Sequence, residues 1–367
     1  MARLLYGSSE RDADLRYAVR MAVPDPFFWA EKAGRTYAVF SPLEIDRARR
    51  TARVDTVIAA EDLVREERKR SDPVELLLAL ARRLGFGTAV VPETFPLGIA
   101  DRAGKRGLRL RVRRGPFFPE RQIKNEQEIG WISEALRMAE AGMERAREIL
   151  QESRPDAEGV LRWEGEELTS ERLRGEIEAV IVRRGGIAEH SIVAGGAQAC
   201  DPHEEGSGPL RAGEAIVIDL FPRSRASGYY GDLSRTFVKG AASEPLRRLY
   251  QTVAEGKRWV LDSMRAGADG RVLHRRLLRR FAEAGYPTER RQGKWVGFFH
   301  GTGHSLGLEI HEPPRFAAGR FRAGQVMTVE PGLYYPEIGG VRLEDLVVIE
   351  KEGVRNLTRS PEILEIP

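Results

Sequence analysis

Short apolar runs and helical stripes alternate through the first third of the chain. TYAVF (Thr36–Phe40), DTVIAA (Asp55–Ala60), TAVVP (Thr88–Pro92) and RLRVR (Arg109–Arg113) have the β-branched and aromatic content of strands. Between them, Ser71-Asp72-Pro73 offers a cap and a proline suited to a first helical turn, and VELLLALARRLG follows with helical spacing and a terminal glycine. That is the pattern of a small α/β domain. RRGPFFPERQIKN (Arg113–Asn125), with its prolines and charges, reads as a linker, which sets domains of 1–121 and 122–367.

After the linker an amphipathic stripe runs from Glu126 to about Ser153, with Ile129, Ile132, Ala135, Leu136, Met138 and Met143 three to four residues apart. Further helices are expected over Glu171–Val182, Pro245–Met264 and Arg271–Ala284, and strands at AIVIDL, SRTFV, VGFF, VMTVE and VRLEDLVVI. A faint symmetry accompanies them. AIVIDL ends near Asp219 and a second strand begins near Asp232, while VMTVE ends in Glu330 and VRLEDLVVI carries Glu344. Each is a candidate hairpin with two acids, and two such halves facing one another would gather four carboxylates.

Composition narrows the class. The chain has 367 residues, 41% hydrophobic and 31% charged, with no apolar run long enough to span a membrane and no signal-like start, so a soluble cytoplasmic protein without membrane partners is expected. A net charge of +4 is spread among acids rather than gathered in a basic stripe, which argues against nucleic acid. With Cys200 as the single cysteine, any metal must be held by His, Asp or Glu. No histidine precedes His190, so the chemistry belongs to the second half.

Asp219 and Glu330 close apolar strands, where an ionised carboxylate is costly to bury alone. In VRLEDLVVI the two-residue period puts Arg342 and Glu344 on one face. Taken singly, each acid could be a salt-bridged or exposed strand end. Taken together they would repel unless cations neutralised them, and carboxylates with one imidazole suit Mn, Co, Fe or Zn. The stretch HGTGHSLGLEIHEPP (His300–Pro314) supplies that imidazole. Glycines 301 and 303 disfavour a helix, so the motif is a strand entering a turn, with His304 where backbone can approach a metal.

VIDLF, GDLSRTF, HGTGHSLGLEIHEPP, TVEPGLY and GVRLEDL together resemble the pita-bread metallopeptidases, in the Xaa-Pro aminopeptidase and prolidase branch, and DADLRYAVRMAVPDPFFW with GPFFPERQIKNEQEI weakly resembles its N-terminal region. The resemblance implies an α+β pita-bread catalytic domain of pseudo-two-fold halves after a smaller creatinase-type α/β domain. It implies two divalent cations, Mn or Co first and Zn or Fe next. Asp219 would bind one, His304 and Glu330 the other, and Asp232 and Glu344 both. His203, His311 and Glu330 take catalytic roles, and His300, Tyr334 and Arg342 substrate-binding ones, while His190 and His274 stay loop histidines. The implied reaction is hydrolysis of the bond preceding proline, in di- or oligopeptides, by a hydroxide shared between the cations. A homodimer is implied by analogy. A methionine aminopeptidase, a metal-free creatinase-like hydrolase and a non-catalytic peptide-binding relative are the competing readings. Two departures stand out: the Asp219–Asp232 segment is two residues longer than the family's usual spacing, and Ser305 replaces the commoner glycine.

Overall fold

The computed structural model describes residues 1–66, 69 and 72–367. It comprises two compact units, Met1–Pro119 and Glu120–Pro367.

The first unit is built on one six-stranded sheet of order β4-β3-β2-β1-β5-β6, made of β1 (Ala2–Gly7), β2 (Phe27–Lys32), β3 (Arg35–Phe40), β4 (Thr56–Ala59), β5 (Thr88–Pro92) and β6 (Arg109–Arg113). The four strands expected from the pattern are β3 to β6. The central pair, β1 and β2, escapes a search for alternation because successive residues are buried on both faces. Leu4 and Phe28 join one apolar cluster, while their neighbours Leu5 and Trp29 join another. Helix α1 (Pro73–Leu84) starts where the Asp72 carboxylate accepts the Val74 N–H at 2.9 Å. Ser71, the other expected cap residue, lies outside the described residues.

The second unit opens with α2 (Glu126–Glu152), fixed by a capping box: Glu128 N–H donates to Asn125 Oδ1 at 2.9 Å and Asn125 N–H to Glu128 Oε2 at 3.1 Å. Its expected stripe is buried throughout. Helices α3 (Ser170–Arg183), α4 (Glu244–Ser263) and α5 (Gly270–Glu283) match the expected segments to within a residue or two. One sheet runs β7-β8-β9-β17, from Ile192–Gly195, Ile216–Leu220, Leu233–Lys239 and Glu365–Ile366. The other runs β11-β10-β12-β15-β16, from Glu312–Arg315, His304–Ser305, Val326–Val329, Asp345–Glu350 and Gly353–Asn356. Val253, Leu277 and Phe281 of α4 and α5 pack on Met327, Val329 and Val347 of this second sheet in one cluster.

Two expected strands are corrected. VGFF is not a strand: the strand Lys294–Val296 stops at Gly297, whose φ is 90° and where a Cβ would lie 2.6 Å from Pro287 O. VRLEDLVVI is not continuous either. It breaks into β14 (Gly339–Arg342), which pairs with β13 (Gly332–Tyr335), and β15 in a different sheet, leaving Leu343 and Glu344 outside both ladders.

Candidate metal centre

The acids meet where antiparallel pairs end. In the first pair, β8 and β9, Asp219 faces Ser234 and Asp232 precedes the ladder. In the second, β12 and β15, Val329 faces Asp345, so Glu330 and Glu344 are the next residues out, one from each strand. His304 enters from β10, the strand between β11 and β12, and its N–H donates to Thr328 Oγ1 at 3.0 Å.

Asp232, His304 and Glu344 are all buried, and each turns a ligand atom to a common point, these atoms lying within 4.8 Å of one another. His304 Nε2 is 3.4 Å from Glu330 Oε1 and 3.7 Å from Asp232 Oδ2. Its Nδ1 lies 3.3 Å from the Ser305 carbonyl, which selects the tautomer whose Nε2 lone pair faces the acids. Asp219 completes the group through a hydrogen-bond chain. Its Oδ2 accepts from Arg342 at 2.9 Å, Arg342 also donates to the Tyr334 hydroxyl at 3.1 Å, and that hydroxyl is 2.9 Å from His300 Nε2.

The electrostatics of the group follow from this crowding. Burial, reinforced by Asp219 and Glu330, pushes the Asp232 carboxyl well above the usual range. Burial and then Asp232 do the same to Glu344, and burial brings Glu330 to about 7. Burial holds His300 and His304 near 3, so both are neutral imidazoles. Asp219 Oδ1 is buried without a hydrogen-bond partner among the described residues. An orphaned carboxylate oxygen beside three carboxyls that resist ionisation and one neutral imidazole is a hard-to-borderline donor set in want of positive charge. The residues therefore fit divalent cations.

Of the remaining expected residues, His311 lies edge-on to His304 with ring centroids 4.3 Å apart. His203 is exposed, yet near enough to both His300 and His311 that its charge disfavours theirs. His300, Tyr334 and Arg342 come together as the chain above. With Nδ1 2.9 Å from Gly301 O, both His300 nitrogens are engaged within the protein. His190 is an exposed histidine paired with Glu205 at 2.8 Å.

His274 is a correction. It sits on α5, not in a loop, and its Nδ1 is 2.8 Å from the hydroxyl of buried Thr302, whose carbonyl accepts the Glu330 N–H at 2.9 Å. The signal was present in the sequence: Gly270, His274, Leu277 and Phe281 share one helical stripe, and the other three are buried.

Comparison with known proteins agrees with this geometry. Residues 130–351 match the profile of Metallopeptidase family M24. The chain is 31% identical over 246 residues to the Xaa-Pro dipeptidase of Pyrococcus horikoshii, covering 65% of this chain and 63% of that protein. It is 31% identical over 335 residues to Xaa-Pro aminopeptidase 1 of Streptomyces coelicolor, covering 78% and 63%. The matches thus span less than two thirds of these relatives' length. Among solved structures, an Xaa-Pro dipeptidase from Bacillus anthracis superimposes with a TM-score of 0.81 at 25% identity, covering 100% of this chain and 95% of that one. The two acid-bearing strand pairs are accordingly those of the pita-bread fold. With the profile match covering more than half of its length and the cluster of carboxylates and His304 inside that match, this chain belongs to Metallopeptidase family M24.

Proposed function

We propose that the chain is a dinuclear metal-dependent hydrolase of the peptide bond preceding proline, acting on Xaa-Pro dipeptides or on the first residue of longer Xaa-Pro peptides. The observation that carries this reading is the buried juxtaposition of Asp232, His304 and Glu344, with Asp219 and Glu330 beside them. The names of the relatives support the substrate class. Asp219, Asp232, His304, Glu330 and Glu344 would hold two divalent cations, manganese or cobalt first, with Asp232 and Glu344 shared. When bound, such cations lower the pKa of a water and polarise a carbonyl oxygen.

The chain's own groups do the rest. Glu330, oriented by the Thr328 hydroxyl 3.3 Å away, is placed to take up a proton from the attacking water and return it to the departing proline nitrogen. Water adds across the carbonyl carbon, the C–N bond breaks, and that nitrogen leaves protonated. His311, its pKa lowered chiefly by burial, offers a ring N–H to the developing oxyanion, with His203 near enough to act on its charge. His300, Tyr334 and Arg342 orient Asp219.

The test is turnover of Ala-Pro beside Ala-Pro-Ala by protein loaded with Mn or Co. Cleavage of the first alone marks a dipeptidase, and cleavage of the second an aminopeptidase. Protein with two cations bound that cleaves neither peptide would refute the reading.

A further inference from the structure

The break at Leu343–Glu344 raises a question of backbone accounting. A ladder that ends at Arg342 and resumes in another sheet at Asp345 leaves the polar groups of the intervening peptides to find partners elsewhere. Leu343 N–H finds Pro331 O at 3.3 Å, and Glu344 N–H finds Ser234 O at 3.1 Å. The Glu344 carbonyl accepts from a side chain, Arg235 Nη1 at 2.5 Å.

Arg235 is 1% exposed, and its five N–H donors all have partners. Nη1 donates to Ser234 O at 2.9 Å as well as to Glu344 O; Nη2 donates to Asp345 Oδ1 at 3.0 Å and Ser360 O at 2.7 Å; Nε donates to Pro361 O at 3.1 Å. One planar group therefore joins β9, which follows Asp232, to the Glu344 peptide and to the segment before β17. Asp345 is backed from α4 by Lys257, 2.8 Å from its Oδ2. The guanidinium does not face the cage: its bonds run to main chain and to Asp345, so its influence on the ligands passes through the Glu344 peptide.

We propose that Arg235 is a positioning residue that sets the Glu344 carboxylate against Asp232, and so decides whether the cage takes up a pair of cations or one. This rests on the proposed function above, in which Glu344 and Asp232 are shared ligands. A lysine cannot replace the fork, since one ammonium cannot span acceptors that Arg235 reaches through three nitrogens.

The experiment compares wild type, Arg235→Lys and Lys257→Met by Mn titration calorimetry and by the electron paramagnetic resonance of the titrated protein. Lys257→Met is the structural control: it disturbs the same buried cluster but leaves the Glu344 carbonyl bonded. Wild type and Lys257→Met should take up two cations and give the spin-coupled signal of a pair. Arg235→Lys should bind the second cation roughly 10–100-fold more weakly, the range for groups that orient ligands, and show uncoupled Mn at two equivalents. Wild-type affinity and coupling in Arg235→Lys, or equal losses in both variants, would overturn the inference while leaving the proposed function standing. Failure of wild type to bind a pair would end the proposed function and the inference together. Should Arg235→Lys not fold, hydrogen exchange in wild type decides. Mn should slow segments 342–346 and 358–364 together, because one side chain holds both, and slowing confined to the first would refute the role.

Discussion

The two acid-bearing strand pairs do the same work with different fastenings. In the first, Asp219 is held by its side chain, through Arg342 reaching over from the β13–β14 hairpin that belongs to the second. In the second, Glu344 is held by its backbone, through Ser234 and Arg235 of the first. Each half thus positions the other's acid. A carboxylate tied by a guanidinium gives up part of its charge and one oxygen, whereas one tied by its peptide keeps both oxygens for cations. The halves are alike in topology but not in electrostatics.

Removing Glu344 or Asp232, the acids proposed to be shared, should have the largest effect. Glu344→Ala or Asp232→Ala should abolish turnover and the cation pair together, a loss beyond the roughly 10–100-fold that an outer partner commands. Cation analysis beside kinetics checks it, and activity surviving with two cations bound would count against the shared role. Next comes the side-chain fastening. Arg342→Leu strands Asp219 Oδ2 in a site where Arg342 is only 3% exposed, so cation-free protein should lose about 3–5 kcal/mol in urea unfolding. Cations should narrow that deficit by supplying the missing charge. An equal deficit with and without Mn would mean the pair is merely structural.

The third test is pH. Asp232, Glu330 and Glu344 have folded pKa values raised above their unfolded ones, so the native state binds more protons and stability falls as pH rises toward the folded values. His300 and His304 are shifted down, so they weaken the fold as pH falls below their unfolded value of about 6.5. The two trends oppose each other below that pH, and only the acids act above it. Cation-free protein should therefore lose up to about 1.4 kcal/mol per pH unit above about 6.5 for each proton the cage retains. Mn-loaded protein, its carboxylates already ionised, should not. Tm measured against pH with and without chelator reads the difference, and parallel curves would contradict it. The smallest effect is expected at His274→Ala, which leaves the buried Thr302 hydroxyl without its partner. A loss of about 1–3 kcal/mol in stability with the cation pair retained is expected; loss of a cation would make His274 a fastening of the cage as well.

Asp219 and Glu330 stand out in the sequence because each closes an apolar run where a lone charge is hard to account for, whereas Asp232, His304 and Glu344 join them as ligands only through the family resemblance. The gathering of the acids was foreshadowed by the two candidate hairpins, but the Arg342–Asp219 bond was not, since only the folded arrangement of separate ladders brings those two residues together. The break after Arg342 was hidden because Arg342-Leu343-Glu344 keeps a strand's alternation through the residues where the chain changes sheets. Arg235 looked like an ordinary residue of GDLSRTF, as nothing in one dimension tells a strand arginine that caps main-chain carbonyls from one that meets water. The central strands β1 and β2 were missed for the opposite reason, having apolar residues on both faces and no alternation to detect.

The sheet change at Leu343–Glu344 also governs where this chain can alter its length. Only two residues separate β14 from β15, and both have main-chain groups hydrogen-bonded, Leu343 to Pro331 and Glu344 to Ser234, so a single insertion or deletion would invert the inside–outside order of Asp345–Glu350. Between Asp219 and Asp232 the tip at Arg225 and Ala226 is exposed, and additions there in pairs keep strand parity. Changes in length should therefore be tolerated on the Asp219 side, while the Glu344 side stays fixed in step.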